Sequence, residues 1–243
     1  MIVYDKIKNM KLETDVEEFI CNIAKTANDV GIESFVIDEE GIRGMDEKKQ
    51  IILLEETFDL EVPFDSLAIG DAAQFIQRYK LHTNNDGDDL SIDLDNGDGV
   101  KTITMKSKGL TIDYRCMKGT RITAPKKAKD VDHCAFELPP EAVDMIKSGA
   151  MTMKADEVLF VKELDSDVVF LQMRDINQSE FKYEIEGFVS PVDDENCGFA
   201  NRYPTKVLLS VMKHSTDNTL LVGELGTLSA NINKLNVIIA PRV

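Results

Sequence analysis

The chain carries three histidines, His82, His133 and His214, and four cysteines, Cys21, Cys116, Cys134 and Cys197. None of the histidines lies beside a serine or cysteine in a recognisable nucleophile setting, and no G-x-S-x-G occurs. A phosphate-cradling P-loop or G-x-G-x-x-G is also missing, since "DNGDGV" has too few glycines and follows the wrong element. The cysteines form no CxxC pair and have no histidines at zinc-ligand spacing, so they are expected to be free, mostly buried thiols of an intracellular protein. The aspartates from Asp86 to Asp98 lack the glycine at position six and glutamate at position twelve of a calcium loop, and read as hairpin turns with a solvated edge. The residues therefore predict no catalytic group, no metal and no cofactor. The enzyme alternative rests only on a site assembled from scattered carboxylates.

The elements around these residues repeat. Val16, Phe19, Ile20, Ile23 and Ala27 recur at helical spacing, with Asp15 placed to cap the start and Gly31 to end the helix. "SFVID", "IRGMD" and "QIILLEET" follow as strands, then an extended segment and a second short helix from Asp71 to about Leu81. Three strands come next, with turns at Asn96-Gly97 and at Ser107-Lys108-Gly109. The Lys-rich stretch from Lys118 to His133 reads as a connector. After it a strand leads to a helix opened by Pro139-Pro140, a hairpin turns at Asp165-Ser166-Asp167, a fourth helix begins near Pro204, and strands close the chain. The expected fold is α+β: an N-terminal domain over 1–117, a connector over 118–133 and a C-terminal domain over 134–243. Each domain packs two short helices on antiparallel sheet.

Lys and Arg total 28 against 44 Asp and Glu, a formal charge of −16. Such a surface repels nucleic acid and anionic membranes on average, which excludes an ordinary DNA-binding domain but not positive charge confined to one face. No apolar run approaches the roughly 20 residues that span a bilayer, and the N-terminus lacks the features of a signal peptide. No membrane association is expected.

Four stretches in order carry a resemblance: "EEGIRGMDEKKQIILLEETF", "FDLEVPFDSLAIGDAAQFIQRYK", "FELPPEAVDMIKSGAM" and the ending "NVIIAPRV". Together they resemble the sliding clamps of DNA replication, the family of proliferating-cell nuclear antigen and its archaeal and tailed-phage relatives. The resemblance implies two similar clamp-type domains per chain, a homotrimer closed into a ring, and helices facing duplex DNA held by topology. It also implies a DNA polymerase and a clamp loader as partners, no enzymatic activity, and a place at replicating DNA inside the cell. A ring needs only weak, sequence-blind phosphate contacts. The cations expected to face DNA are Lys25, Arg78, Lys80, Lys147, Lys206 and Lys213, although Glu17, Glu18, Glu141 and Asp144 share their helices.

In the family a Met-Asp motif, part of the following strand and an Ala-Pro tail border a pocket for a partner's apolar motif. The matching positions are Met45, Ile52, Ile239, Ala240 and Pro241. The connector "APKKAKDV" departs from the family by lacking apolar residues there. Alternating segments at Leu110, Ile112 and Tyr114 and at Phe181, Tyr183 and Ile185 are expected to be edge strands that pair between subunits. The competing reading keeps the fold but gives it a structural or assembly role without DNA.

Overall fold

A computed structural model describes residues 10–87, 89–94, 99–125, 127, 130–164, 166, 168–175, 177, 179–185, 189–192 and 197–242. The expected turn at Asn96-Gly97, the aspartates 88, 95 and 98, and residues 165 and 167 of the second hairpin turn lie outside the described residues. Two compact units emerge, and the division is not a single cut. Residues up to Glu47 and from Leu53 to the connector form the first, while Lys48–Ile52 joins the residues from Lys127 onward in the second.

The first unit runs β1 (Met10–Lys11), α1 (Thr14–Val30), β2 (Phe35–Asp38), β3 (Gly41–Met45), β4 (Ile51–Glu55, of which Ile51 and Ile52 belong to the second unit), β5 (Ser66–Ile69), α2 (Ala72–Thr83), β6 (Asp89–Leu94), β7 (Val100–Ser107) and β8 (Leu110–Arg115). Its strands neighbour one another in the orders β1-β6-β7-β8 and β4-β3-β2-β5, with antiparallel ladders throughout the first and between β3, β2 and β5 in the second. The periodic residues Val16, Ile20, Ile23 and Ala27 are the buried stripe of α1, which packs on α2. Gly31 ends α1 at φ 85°, a left-handed conformation that glycine adopts without a Cβ clash. The start differs from expectation. Glu13 occupies the cap position without a side-chain bond, and Asp15 lies inside the first turn, where its carboxylate accepts the Val16 N–H. In α2, Asp71 does cap, accepting the Gln74 N–H at 2.8 Å.

The second unit runs β9 (Asp132–Glu137), α3 (Pro140–Met153), β10 (Glu157–Lys162), β11 (Val169–Arg174), β12 (Glu180–Ile185), β13 (Val189–Pro191), β14 (Phe199–Pro204), α4 (Thr205–Met212), β15 (Thr219–Gly223), β16 (Leu228–Ile232) and β17 (Leu235–Ile239). Its ladders, again antiparallel, have the orders β12-β11-β10-β14 and β13-β9-β15-β16-β17. Pro140 opens α3 at a position where a missing N–H leaves no bond unmade. Phe136, Phe160, Tyr203, Leu208 and Val211 are enclosed in its core. Cys134 and Cys197 are joined as a disulfide rather than free, with Cα atoms 5.9 Å apart. Their 63-residue separation hid this pairing, because proximity across the sheet leaves no local pattern. Cys21 and Cys116 remain free.

One loop anchor ties the connector to the second unit. The Asp130 carboxylate accepts the N–H groups of Leu225 (2.7 Å), Thr227 (3.0 Å) and Val131 (3.0 Å), and the Thr227 hydroxyl (2.7 Å). Partial burial pushes its pKa upward, but these donors outweigh burial and hold the acid below the usual range. A depressed folded pKa gives stability that is complete above the unfolded value and is lost as pH falls through the folded one. We therefore predict that Asp130→Ala costs about 1–2 kcal/mol at neutral pH, a few degrees of Tm. The Tm gap to wild type should close in acid, which thermal melts across a pH series will check.

Candidate functional site

The two expected edge segments occupy sheet ends. Strand β8 pairs only with β7, and β12 only with β11, among the described residues. In the β7–β8 hairpin the Ser107–Leu110 pair flanks a two-residue turn, with Gly109 at φ 75°, and Cys116 N–H bonds the Lys101 carbonyl at 2.9 Å. Hydrogen-bonded pairs alternate with non-bonded ones in such a ladder. Leu110, Ile112 and Tyr114 thus turn their backbone groups toward β7, while Thr111, Asp113 and Arg115 turn theirs to the open edge. The same counting holds in β12, where Asp175 N–H bonds the Ser179 carbonyl at 3.1 Å. There the outward backbone groups belong to Glu180, Lys182 and Glu184.

Side chains follow the other alternation. Leu110, Ile112, Phe181 and Tyr183 are half-buried, while Tyr114 and Ile185 are enclosed within their own units. The Tyr114 hydroxyl accepts the Asp71 N–H at 3.0 Å and donates to the Asp71 carbonyl at 3.2 Å, and its ring meets Phe75 edge-on at 5.2 Å. Burial pushes the phenol pKa up, only partly offset by the Asp71 backbone bond. This contact fixes α2 against the edge strand.

Of the helix cations, Lys25 on α1, Lys80 on α2, Lys147 on α3 and Lys206 on α4 are exposed. Lys213, also exposed, follows the last residue of α4 as its cap. Arg78 differs. It is half-buried, its guanidinium stands 5.4 Å over the Tyr114 ring, and its Nη1 donates to the Asp113 carbonyl at 2.9 Å. Sequence reasoning gave Arg78 a solvated face and missed this commitment to the edge strand. Acidic Glu17 is also engaged, accepting the Tyr79 hydroxyl at 3.0 Å.

Met45 ends β3 in the first unit and is half-buried. In the second unit Ile52, Ala240 and Pro241 are half-buried, and Ala240 N–H bonds the Gln50 carbonyl at 2.9 Å. Ile239 is fully enclosed, so its side chain belongs to the core rather than to a pocket wall. Beyond this tail, Arg242 pairs with Glu157 at 2.6 Å on the rim of a cleft of about 520 Å³, with Lys154, Arg174 and Arg202 on other walls. The first unit has a cleft of about 640 Å³ walled by Asp38, Glu39, Glu40 and Asp65 over Phe58, Val62 and Phe64.

His82 is buried, and its Nδ1 has no hydrogen-bond partner among the described residues. Burial pushes the Cys21 thiol to about 12, a rise that the neighbouring Tyr79 hydroxyl only partly opposes, and pushes Cys116 to about 12 as well. Among the described residues no three His, Cys, Asp or Glu side chains gather as metal ligands.

No family model matches the sequence, and no curated protein sequence matches it. Solved structures do. The chain superimposes over 100% of its length on Caulobacter crescentus pol III beta, at 12% identity and TM-score 0.67, covering 68% of that chain. It matches proliferating cellular nuclear antigen from Entamoeba histolytica over 98% of its length and all of that chain, at 14% identity and TM-score 0.61. The Helicobacter pylori beta clamp aligns with 97% of this chain but only 63% of its own length, at 9% identity and TM-score 0.65. The fold is a mixed α+β arrangement of helices on antiparallel sheets. It is the fold of the DNA sliding clamps.

Tyr114→Phe removes the hydroxyl that serves both Asp71 backbone groups while keeping the ring on Phe75. We predict a loss of about 1–2 kcal/mol and a Tm lowered by a few degrees, with unchanged far-UV circular dichroism.

Proposed function

We propose that the protein is a polymerase processivity factor: a sliding clamp that closes as a homotrimeric ring around duplex DNA and tethers DNA polymerase and other replication proteins. The observation that carries this reading is the pair of open edges on a clamp-type fold, β8 in one unit and β12 in the other. An exposed edge invites pairing, and a heterologous contact that closes on itself gives a ring rather than a fibre. Each unit, with its two helices and sheets, serves as one clamp domain, and the stretch 118–133 joins them. A clamp loader would open the ring, and no chemical step is assigned to the chain. The acidic total charge suits topological holding, with Lys25, Arg78, Lys80, Lys147, Lys206 and Lys213 offering weak phosphate contacts. The deciding experiment is retention on DNA. Loaded protein should stay on closed circles and slip off once the circle is linearised. Equal loss from both would refute encirclement.

The edge geometry specifies a clean interface variant. Thr111 is exposed and turns its N–H outward, so proline there removes no bond to β7. Thr111→Pro should yield folded monomers with a Tm near wild type. In contrast, Ile112→Pro would cut the internal ladder.

Replacing Lys206 and Lys213 together by alanine, with Arg78 kept because it holds β8, should reduce processive synthesis at low salt, and the gap to wild type should narrow as salt rises. Unchanged processivity at every salt concentration would remove these side chains from the DNA surface.

Ile52, Ala240 and Pro241 offer apolar footing for a partner peptide in the second unit, and Met45 is tested on its own. Met45→Ala should leave Tm nearly unchanged, because a half-buried side chain forfeits less packing than the roughly 2–5 kcal/mol of a core methionine. Affinity for a polymerase-derived peptide should fall clearly. A large Tm loss with unchanged affinity would make Met45 a core residue.

A further inference from the structure

The cleft of about 520 Å³ in the second unit gathers cations on a chain whose formal charge is −16. Strand registers set its floor. Leu159 stands opposite Gln172 on one side and opposite Arg202 on the other, and Arg202 in turn bridges Arg242 of the tail. Residues opposite one another in an antiparallel pair share a face of the sheet, so Gln172, Leu159, Arg202 and Arg242 form one row across it. Lys154, at the end of α3, and Arg174 add two further cations to the lining. We infer that this cleft is a docking site for an acidic peptide segment of a partner protein, with Arg202 and Arg242 receiving a carboxylate from it. The inference goes beyond the ring reading and stands whether or not copies of the chain encircle DNA.

Two arginines directly opposite each other repel, and like charges in that position destabilise a sheet unless an anion offsets them. Only one of the two is matched within the chain. Arg242 takes Glu157 at 2.6 Å, whereas the exposed guanidinium of Arg202 has no hydrogen bond or ion pair among the described residues. Lys154 is likewise exposed and unpaired among them, and it is held at φ 51°, a left-handed backbone that a residue with a Cβ adopts at a cost. The acids of the lining do not cancel this charge. Glu157 belongs to Arg242, and the Asp175 carboxylate accepts the N–H groups of Asn177 at 2.8 Å and Ser179 at 2.7 Å. Asp156 is the remaining acid, against the two unmatched cations. Arg174 meets Glu180 at 3.2 Å in an exposed pair, a kind that contributes little and exchanges readily for another carboxylate.

The lining also selects the class of anion. A nucleic-acid strand carries a charge on every nucleotide and would set phosphates against Asp156 and Asp175. A peptide can place its carboxylates on the arginines and an uncharged group beside the acids. Guanidinium forks match a carboxylate with two parallel N–H···O bonds. Leu159, half-buried between Gln172 and Arg202, offers an apolar contact in the middle of the row, which suits an apolar side chain next to the acidic one. A cleft of this volume holds a few side chains of a segment rather than the face of a domain.

Fluorescence anisotropy on the full chain tests the site, with a labelled, end-capped pentapeptide that alternates glutamate and leucine as the probe. The same peptide with glutamine in place of glutamate should bind at least about tenfold more weakly. Arg202→Ala should weaken the acidic peptide about tenfold and leave Tm unchanged or slightly raised, since it removes a repulsion and no bond within the described residues. Arg202→Glu should weaken it further, while Lys108→Ala, in the exposed β7–β8 turn of the other unit, should change nothing. An acidic peptide that fails to bind, or that binds wild type and Arg202→Ala equally, overturns the inference. A thymidine oligonucleotide that binds more tightly than the peptide and loses as much on Arg202→Ala assigns the cleft to phosphates and overturns the peptide class. Neither result touches encirclement, which retention on closed circles decides.

Discussion

Backbone groups on a terminal strand must find partners or stay in water, and this constraint organises the molecule. On β8 and β12 the alternation of an antiparallel ladder leaves every second residue with its N–H and C=O facing outward. Among the described residues no further strand pairs with either edge. The protein decorates them with exposed charges of both signs and backs them with half-buried apolar side chains. Such an edge deters indiscriminate pairing while leaving a matched strand free to dock. Behind β8, Tyr114 is locked to Asp71 by two hydrogen bonds and Arg78 reaches the Asp113 carbonyl, so the edge is presented by a fixed helix rather than by a floating strand.

The helices and the edges are therefore coupled. Residues of α2 that carry cations toward solvent also hold β8 in place, and Arg78 takes part in both. In α4 the equivalent position, seven residues beyond the cap, is Val211, which is buried. The two units repeat an architecture without repeating its side-chain contacts. That is what low internal sequence similarity on a shared fold requires: the sheet and helix periods are preserved while individual contacts diverge.

Much of this was legible in local sequence patterns. The α1 stripe, Gly31 at the helix end and Pro140 at a helix start are short-range features, each with a residue type that the backbone demands, whereas the cap expected at Asp15 falls to Glu13 without a side-chain bond. Strand alternation marked β8 and β12 as edge candidates, and both lie at sheet ends. Long-range facts were hidden. The joining of Cys134 to Cys197 and the grip of Asp130 on Leu225 and Thr227 depend on segments brought together only by the sheet. Ile239 illustrates a different gap, since a family motif fixes position in the chain but not whether the side chain turns toward solvent or core. The outward charges were in view throughout, and their meaning needed the hydrogen-bond phase of the ladder.

Closure of copies of this chain into a ring through two complementary edges, as proposed above, is tested by the molar mass of the wild-type protein in light scattering over a dilution series. A plateau at about three times the 27.2 kDa chain is expected, dissociating only at low concentration and high salt. A mass of one chain at every accessible concentration would contradict it.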